Sequence, residues 1–354
     1  MTKKTRVLVV EDSLTVRRHL CALLAADPEI ELAGAAADGR AAIELCRTLR
    51  PDVVTIDMML PIMNGLAATE YIMAHCPTPI LVVSASFNRG ELFKTYDALA
   101  AGAVDVLEKP TGSEPEGAWQ RAFVAKVKLI ARIPVITHPR LRLAGLHRSA
   151  ATPPATLTKR QAAVIAIGAS TGGPAAIVEV LRGMPAAIRQ PILFVLHINE
   201  PFGDAFAEWL DGQTSLRVAY PADGDPVAAA GGRVVMAPPG RHLIVRDGRF
   251  RLTCDPERHS CRPSVDVLFE SAAREYGGDA AAVVLTGMGR DGAAGLLAIR
   301  RAGGVTIAQD EASSVVYGMP REAAALGAAE RILPLNEIGP ALGLLALAPV
   351  AGRA

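Results

Sequence analysis

Mostly apolar runs at residues 7–10, 30–36, 53–56, 80–83 and 104–107 alternate with helix-length amphipathic segments. Strands apolar on both faces need cover on two sides, so this alternation predicts a parallel sheet sandwiched between helices. From residue 134 to 160 the periodicity stops, and a stretch rich in Pro, Arg, Ala and Thr reads as a solvated basic tether. The pattern then resumes with buried-type strands at 164–169, 191–197, 280–285, 305–308 and 331–333. Hairpin signals lie at 234–245 and 249–253, and a helix over 293–301 stops at Gly303-Gly304. The expected organisation is an α/β domain over 1–125, a linker over 126–160 and a second α/β domain over 161–348.

Composition narrows the class. A hydrophobic content of 50% with 21% charged residues describes folded domains, and 354 residues suffice for two or three of them. A net charge of +1 argues against a broad nucleic-acid or membrane-binding face. The five cysteines form no Cys-x-x-Cys pair, which predicts neither a disulfide scaffold nor a zinc site and fits a reducing, cytoplasmic setting. No secretory h-region follows the basic start, and no apolar run suits a bilayer span, so the chain is not expected to be membrane-embedded.

Polar residues gather where the first five strands end: Glu11 and Asp12, Asp57, Ser84, and Lys109. In a doubly wound sheet these ends form the ligand crevice, and the flavodoxin-like order 2-1-3-4-5 makes the first and third strands neighbours. Three facing carboxylates repel unless a proton or cation is shared, and an all-oxygen cluster suits Mg²⁺. Lys109 and Ser84 would hold the oxygens of a phosphoryl group on Asp57. The runs Glu11-Asp12-Ser13, Asp57-Met58-Met59-Leu60-Pro61-Ile62-Met63-Asn64-Gly65, Ser84-Ala85 and Lys109-Pro110 resemble the receiver domains of bacterial response regulators. That resemblance implies Asp57 as phosphoacceptor, with Glu11, Asp12 and the Met59 carbonyl helping to hold Mg²⁺. Val106 stands where such domains often carry an aromatic, and Asn64 is read as the cap of the next helix.

In the second domain the strand at 164–169 ends at Ser170, followed by Thr171-Gly172-Gly173-Pro174. Gly168, Ser170 and Gly172 match Gly-x-Ser-x-Gly, a turn that presents a nucleophile between strand and helix. The same turn also reads as a helix cap or a phosphate cradle. A serine hydroxyl needs a base, and the base needs an acceptor to fix its tautomer. His197 and Asp291 follow later strands and can supply these roles, with His242 and His259 as alternative bases and Asp291 also placed to cap its own helix. Amides of Thr171 and Met288 are candidate oxyanion donors.

Three further runs follow in order: His259-Ser260-Cys261-Arg262-Pro263-Ser264-Val265-Asp266, Leu285 through Gly292, and Gln309-Asp310-Glu311-Ala312-Ser313-Ser314 with Tyr317-Gly318-Met319-Pro320. Behind a receiver-like domain they resemble the chemotaxis response-regulator methylesterases, the CheB family. The resemblance implies nucleophile Ser170, base His197, acid Asp291, and Thr171 and Met288 beside the reacting carbonyl. It further implies hydrolysis of glutamate γ-methyl esters on chemoreceptors, a histidine kinase as phosphodonor, Mg²⁺ for phosphorylation and no cofactor for hydrolysis. Glutamine deamidation by the same groups is compatible with it. Ile198-Asn199-Glu200-Pro201 departs from the family's shorter pattern after the histidine. A non-catalytic, nucleotide-binding output domain is the alternative.

Overall fold

The computed structural model describes residues 3–85, 89–110, 115, 117–133, 135, 161–198, 200–203 and 205–347. The chain divides into two units, Met1–Ser149 and Ala150–Ala354, and most of the tether expected at 126–160, residues 136–160, lies outside the described residues.

In the first unit β1 (Thr5–Val10), β2 (Ile30–Ala36), β3 (Val53–Ile56), β4 (Ile80–Ser84) and β5 (Asp105–Glu108) form a parallel sheet of order β2-β1-β3-β4-β5. β3 and β4 are buried along their whole length, as strands covered on both faces must be. Neighbouring β1 and β3 carry Glu11 and Asp57 at corresponding ends. Helix starts are fixed locally: Ser13, Asp38 and Asn64 each accept a backbone N–H of the following helix, a bond worth about 1 kcal/mol. The closing helix Ala118–Ile130 buries Trp119, Phe123, Val127 and Ile130 on one face.

The second unit holds β6 (Val164–Ala169), β7 (Ile192–Leu196), β8 (Arg217–Ala219), β9 (Arg233–Met236), β10 (His242–Arg246), β11 (Arg249–Thr253), β12 (Ala280–Val284), β13 (Val305–Gln309) and β14 (Arg331–Leu333). Seven of these make a parallel sheet of order β14-β13-β12-β6-β7-β9-β8. Among the described residues only β10 and β11 form a hairpin, across an Asp247-Gly248 turn with both residues at positive φ. The segment read as one hairpin signal over 234–245 is split: Pro238-Pro239 ends β9, which joins the sheet beside β7. Chain order reverses between β12 and β6, and the crevice beyond their carboxyl ends is where such sheets place ligands.

Candidate active site and phosphoacceptor site

Ser170 stands one residue past β6 and His197 one residue past β7. The register pairs Ala169 with Leu196, and His197 N donates to the Ala169 carbonyl at 3.1 Å, so the two side chains leave the sheet as neighbours. Ser170 N donates to the Thr286 carbonyl at 3.0 Å, tying the serine to the loop after β12. Gly172 takes φ +78°, and a Cβ there would lie 2.6 Å from the Val315 Cβ, so the turn requires glycine. Gly172 also caps the helix Gly173–Gly183 without any side-chain bond. The Ser170 hydroxyl makes no hydrogen bond among the described residues, so it caps nothing and is not joined to His197 in this state. Nucleophile–base bonds often tighten only when substrate binds.

His197 Nε2 donates to Asp291 Oδ2 at 2.8 Å, leaving Nδ1 as the nitrogen able to take a proton; Nδ1 lies 3.7 Å from Cys261 Sγ. Burial alone would lower the imidazole pKa, but the bonds to Asp291 and Cys261 outweigh it and push it up to about 9. A base must be neutral, so kcat/KM is expected to rise with pH and level off only above about 9. Cys261→Ala, which removes one of the raising interactions, is expected to move that inflection down. A pH–rate series on both proteins checks this, and a plateau already reached near neutrality would contradict it.

The alternative bases are occupied elsewhere. His242 is fully buried, accepts Ser264 N on Nδ1 at 3.1 Å and places Nε2 3.2 Å from the Pro256 carbonyl. His259 places Nε2 3.1 Å from Asp266 and accepts Arg290 Nε on Nδ1 at 3.2 Å.

Asp291 was expected to cap its own helix, and here the structure differs: Gly292 is the N-cap of Ala293–Arg301, with no side-chain bond. The Asp291 carboxylate instead receives the start of another helix, Val265–Tyr276. It accepts Val265 N at 2.7 Å, Asp266 N at 3.0 Å and the Ser264 hydroxyl at 2.8 Å. Burial would raise the carboxyl, but His197 and these donors hold it below the ordinary carboxylate value. The exchange is mutual, since Asp266 accepts Gly295 N, in the first turn of the Ala293–Arg301 helix, at 2.6 Å. Sequence reading named Cys261 and Ser264 within the run His259 to Asp266 but gave neither a role in the site; for Ser264 the local signal was a serine placed before a helix, as an N-cap is.

The Thr171 carbonyl accepts the Thr286 hydroxyl at 3.0 Å, while the amides of Thr171 and Met288 bond nothing among the described residues. A cavity of about 330 Å³ opens beside His197, lined also by Ile198, Glu257, Cys261 and Arg262. Asn199, part of the departure after the histidine, lies outside the described residues.

In the first unit Lys109 Nζ lies 2.8 Å from Asp57 Oδ2 and 2.9 Å from Glu11 Oε2. Burial raises the Glu11 carboxyl, opposed by Lys109 and reinforced by the charge of Asp57. Glu11, Asp12 and Asp57 each offer an oxygen within 4.8 Å of the others, a hard, mutually repelling donor set that fits Mg²⁺. Ser84 is fully buried and its hydroxyl donates to Glu91 at 2.8 Å, so in this state it is held by Glu91. Met59 is half-exposed beside Asp57, its amide 3.4 Å from Asp57 Oδ1.

Among the described residues no helix is long and apolar enough to cross a membrane. The family model for CheB methylesterase matches residues 165–342, and that for the response regulator receiver domain matches residues 7–115. The chain is 46% identical over 337 residues to protein-glutamate methylesterase/protein-glutamine glutaminase 2 of Anaeromyxobacter dehalogenans, covering 95% of this chain and 96% of that one. Against the protein-glutamate methylesterase/protein-glutamine glutaminase of Nitrosospira multiformis it is 42% identical, covering 95% of each chain. The crystal structure of the Thermotoga maritima CheB methylesterase catalytic domain aligns with a TM-score of 0.49 at 33% identity, over 53% of this chain and 100% of that one. With both modules in order and this identity along nearly the whole length, the chain belongs to the CheB methylesterase family, its catalytic domain preceded by a response-regulator receiver.

Proposed function

We propose that this chain is a phosphorylation-activated protein-glutamate methylesterase that removes γ-methyl groups from glutamates on the cytoplasmic helices of chemoreceptors. The observation that carries the reading is the 2.8 Å His197–Asp291 pair set beside Ser170 at the carboxyl end of the sheet. Ser170 Oγ attacks the ester carbonyl while its proton passes to His197 Nδ1, and Asp291 stabilises the imidazolium. Amides of Thr171 and Met288 receive the developing oxyanion. The imidazolium then gives its proton to the departing methoxide, methanol leaves, and water attacks the acyl-serine by the reverse relay to free the carboxylate. A glutamine side chain enters the same sequence with ammonia as the leaving group, so deamidation belongs to the same site.

The receiver regulates this chemistry. A histidine kinase of the chemosensory pathway supplies the phosphoryl group to Asp57. Glu11, Asp12, Asp57 and the Met59 carbonyl would hold Mg²⁺, which neutralises charge during that transfer. Lys109 already sits on the acceptor, and Ser84 must leave Glu91 to reach a phosphoryl oxygen. Methanol release from methyl-labelled receptor membranes, with and without a small-molecule phosphodonor, tests both halves. Wild type is expected to gain about 5–150-fold on phosphorylation, the ordinary range of allosteric coupling. Asp57→Asn is expected to stay at its basal rate with or without donor. Equal stimulation of Asp57→Asn would remove Asp57 from the pathway, and no release from wild type would remove the esterase.

A further inference from the structure

We propose that His197 Nδ1 and Cys261 Sγ form a site for a soft divalent cation, Zn²⁺ or Cd²⁺, and that the bound cation shuts the hydrolase off. The two donors face each other across 3.7 Å. Tetrahedral zinc, with bonds of about 2.0–2.1 Å to nitrogen and 2.3 Å to sulfur, sets such donors about 3.5 Å apart, so capture requires little movement. Behind the ring, Asp291 accepts Nε2–H at 2.8 Å, which leaves the lone pair on Nδ1 facing the thiol. A carboxylate so placed fixes the tautomer of a ligating histidine and raises its basicity. Asp291 is itself immobilised by the amides of Val265 and Asp266 and the hydroxyl of Ser264. Both donors line an open cavity, so the remaining coordination positions are available to water.

Nothing in the cysteine spacing announces this site, because its two ligands are 64 positions apart in the chain. Binding replaces the thiol proton, which leaves to solvent, and consumes the imidazole lone pair that Ser170 needs for its own proton. Cation capture stands on geometry alone; the inhibition rests on the hydrolytic reading above.

Titration of the full-length chain with Co²⁺ under anaerobic conditions reads the first claim through the thiolate-to-cobalt absorption band. The band is expected in wild type, in Cys254→Ser and in Cys46→Ser, and is expected to vanish in Cys261→Ser and Cys261→Ala, with circular dichroism showing each variant folded. Micromolar Zn²⁺ is expected to inhibit methanol release reversibly, with chelator restoring it. The half-inhibiting concentration, measured against each variant's own metal-free rate, is expected to rise about tenfold or more in Cys261→Ser. A full band in folded Cys261→Ser would overturn the site. A lost band with unchanged zinc sensitivity would overturn the inhibitory role, and a band in a chain with no esterase activity would leave the site standing while the hydrolytic reading falls.

Discussion

Ser170→Ala is expected to lower kcat for methanol release by about 10⁴–10⁶-fold, the loss seen when a serine nucleophile is removed from a working triad. Its stability is expected to match wild type within about 0.5 kcal/mol, because the lost hydroxyl satisfies no partner. The backbone bond from Ser170 N to Thr286 and the glycine turn at Gly172 are untouched by the change. The variant should therefore melt like wild type, bind receptor like wild type and turn nothing over. Labelled-methanol release paired with a thermal melt reads both quantities. A folded Ser170→Ala that kept most of its rate would pass the nucleophile's role to another group, and Cys261, which already shares His197, would be the first to examine.

Asp291→Asn is expected to cost about 10⁴-fold in kcat, since an amide neither fixes the imidazole tautomer nor stabilises its charged form. Unlike the serine variant, it should also be less stable. The carboxylate accepts two helix-start amides and a buried hydroxyl, so replacing half of it with a donor sets N–H against N–H. The expected loss is about 2–4 kcal/mol, built from charge-assisted bonds and a lost helix cap. That corresponds to a fall in Tm of about 5–15 °C for a unit of this size. The His197 pKa should drop as well, because Asp291 is among the groups that raise it. A variant with the rate loss but an unshifted melting curve would separate catalysis from the capping role described above.

The two-domain α/β architecture was legible because each buried strand is a contiguous apolar run, as at Ile192–Leu196 and Ala280–Val284. Ser170 was legible for the same reason: strand, glycine, serine and helix start are consecutive. His197 could not be separated from His242 and His259 by spacing, since what distinguishes them is which other groups occupy their ring nitrogens. Asp291 was identified, yet its capping partner was not, because a carboxylate beside its own helix gives no sign that it serves a helix 26 positions earlier. β8 was invisible too, being three residues long with two of them exposed. The hairpin signal at 234–245 merged two elements because the tight turn and the proline break carry the same local punctuation.

The crossed carboxylates of Asp291 and Asp266 tie chemistry to assembly. Each of two helices begins on an acid borrowed from the other's segment, so neither start is complete until both have docked. A chain still leaving the ribosome, with the first wound and the second unmade, holds a histidine with no carboxylate behind it. In such a chain the serine turn also lacks its tie to the loop after β12, so competence for hydrolysis arrives only as the two segments close on each other.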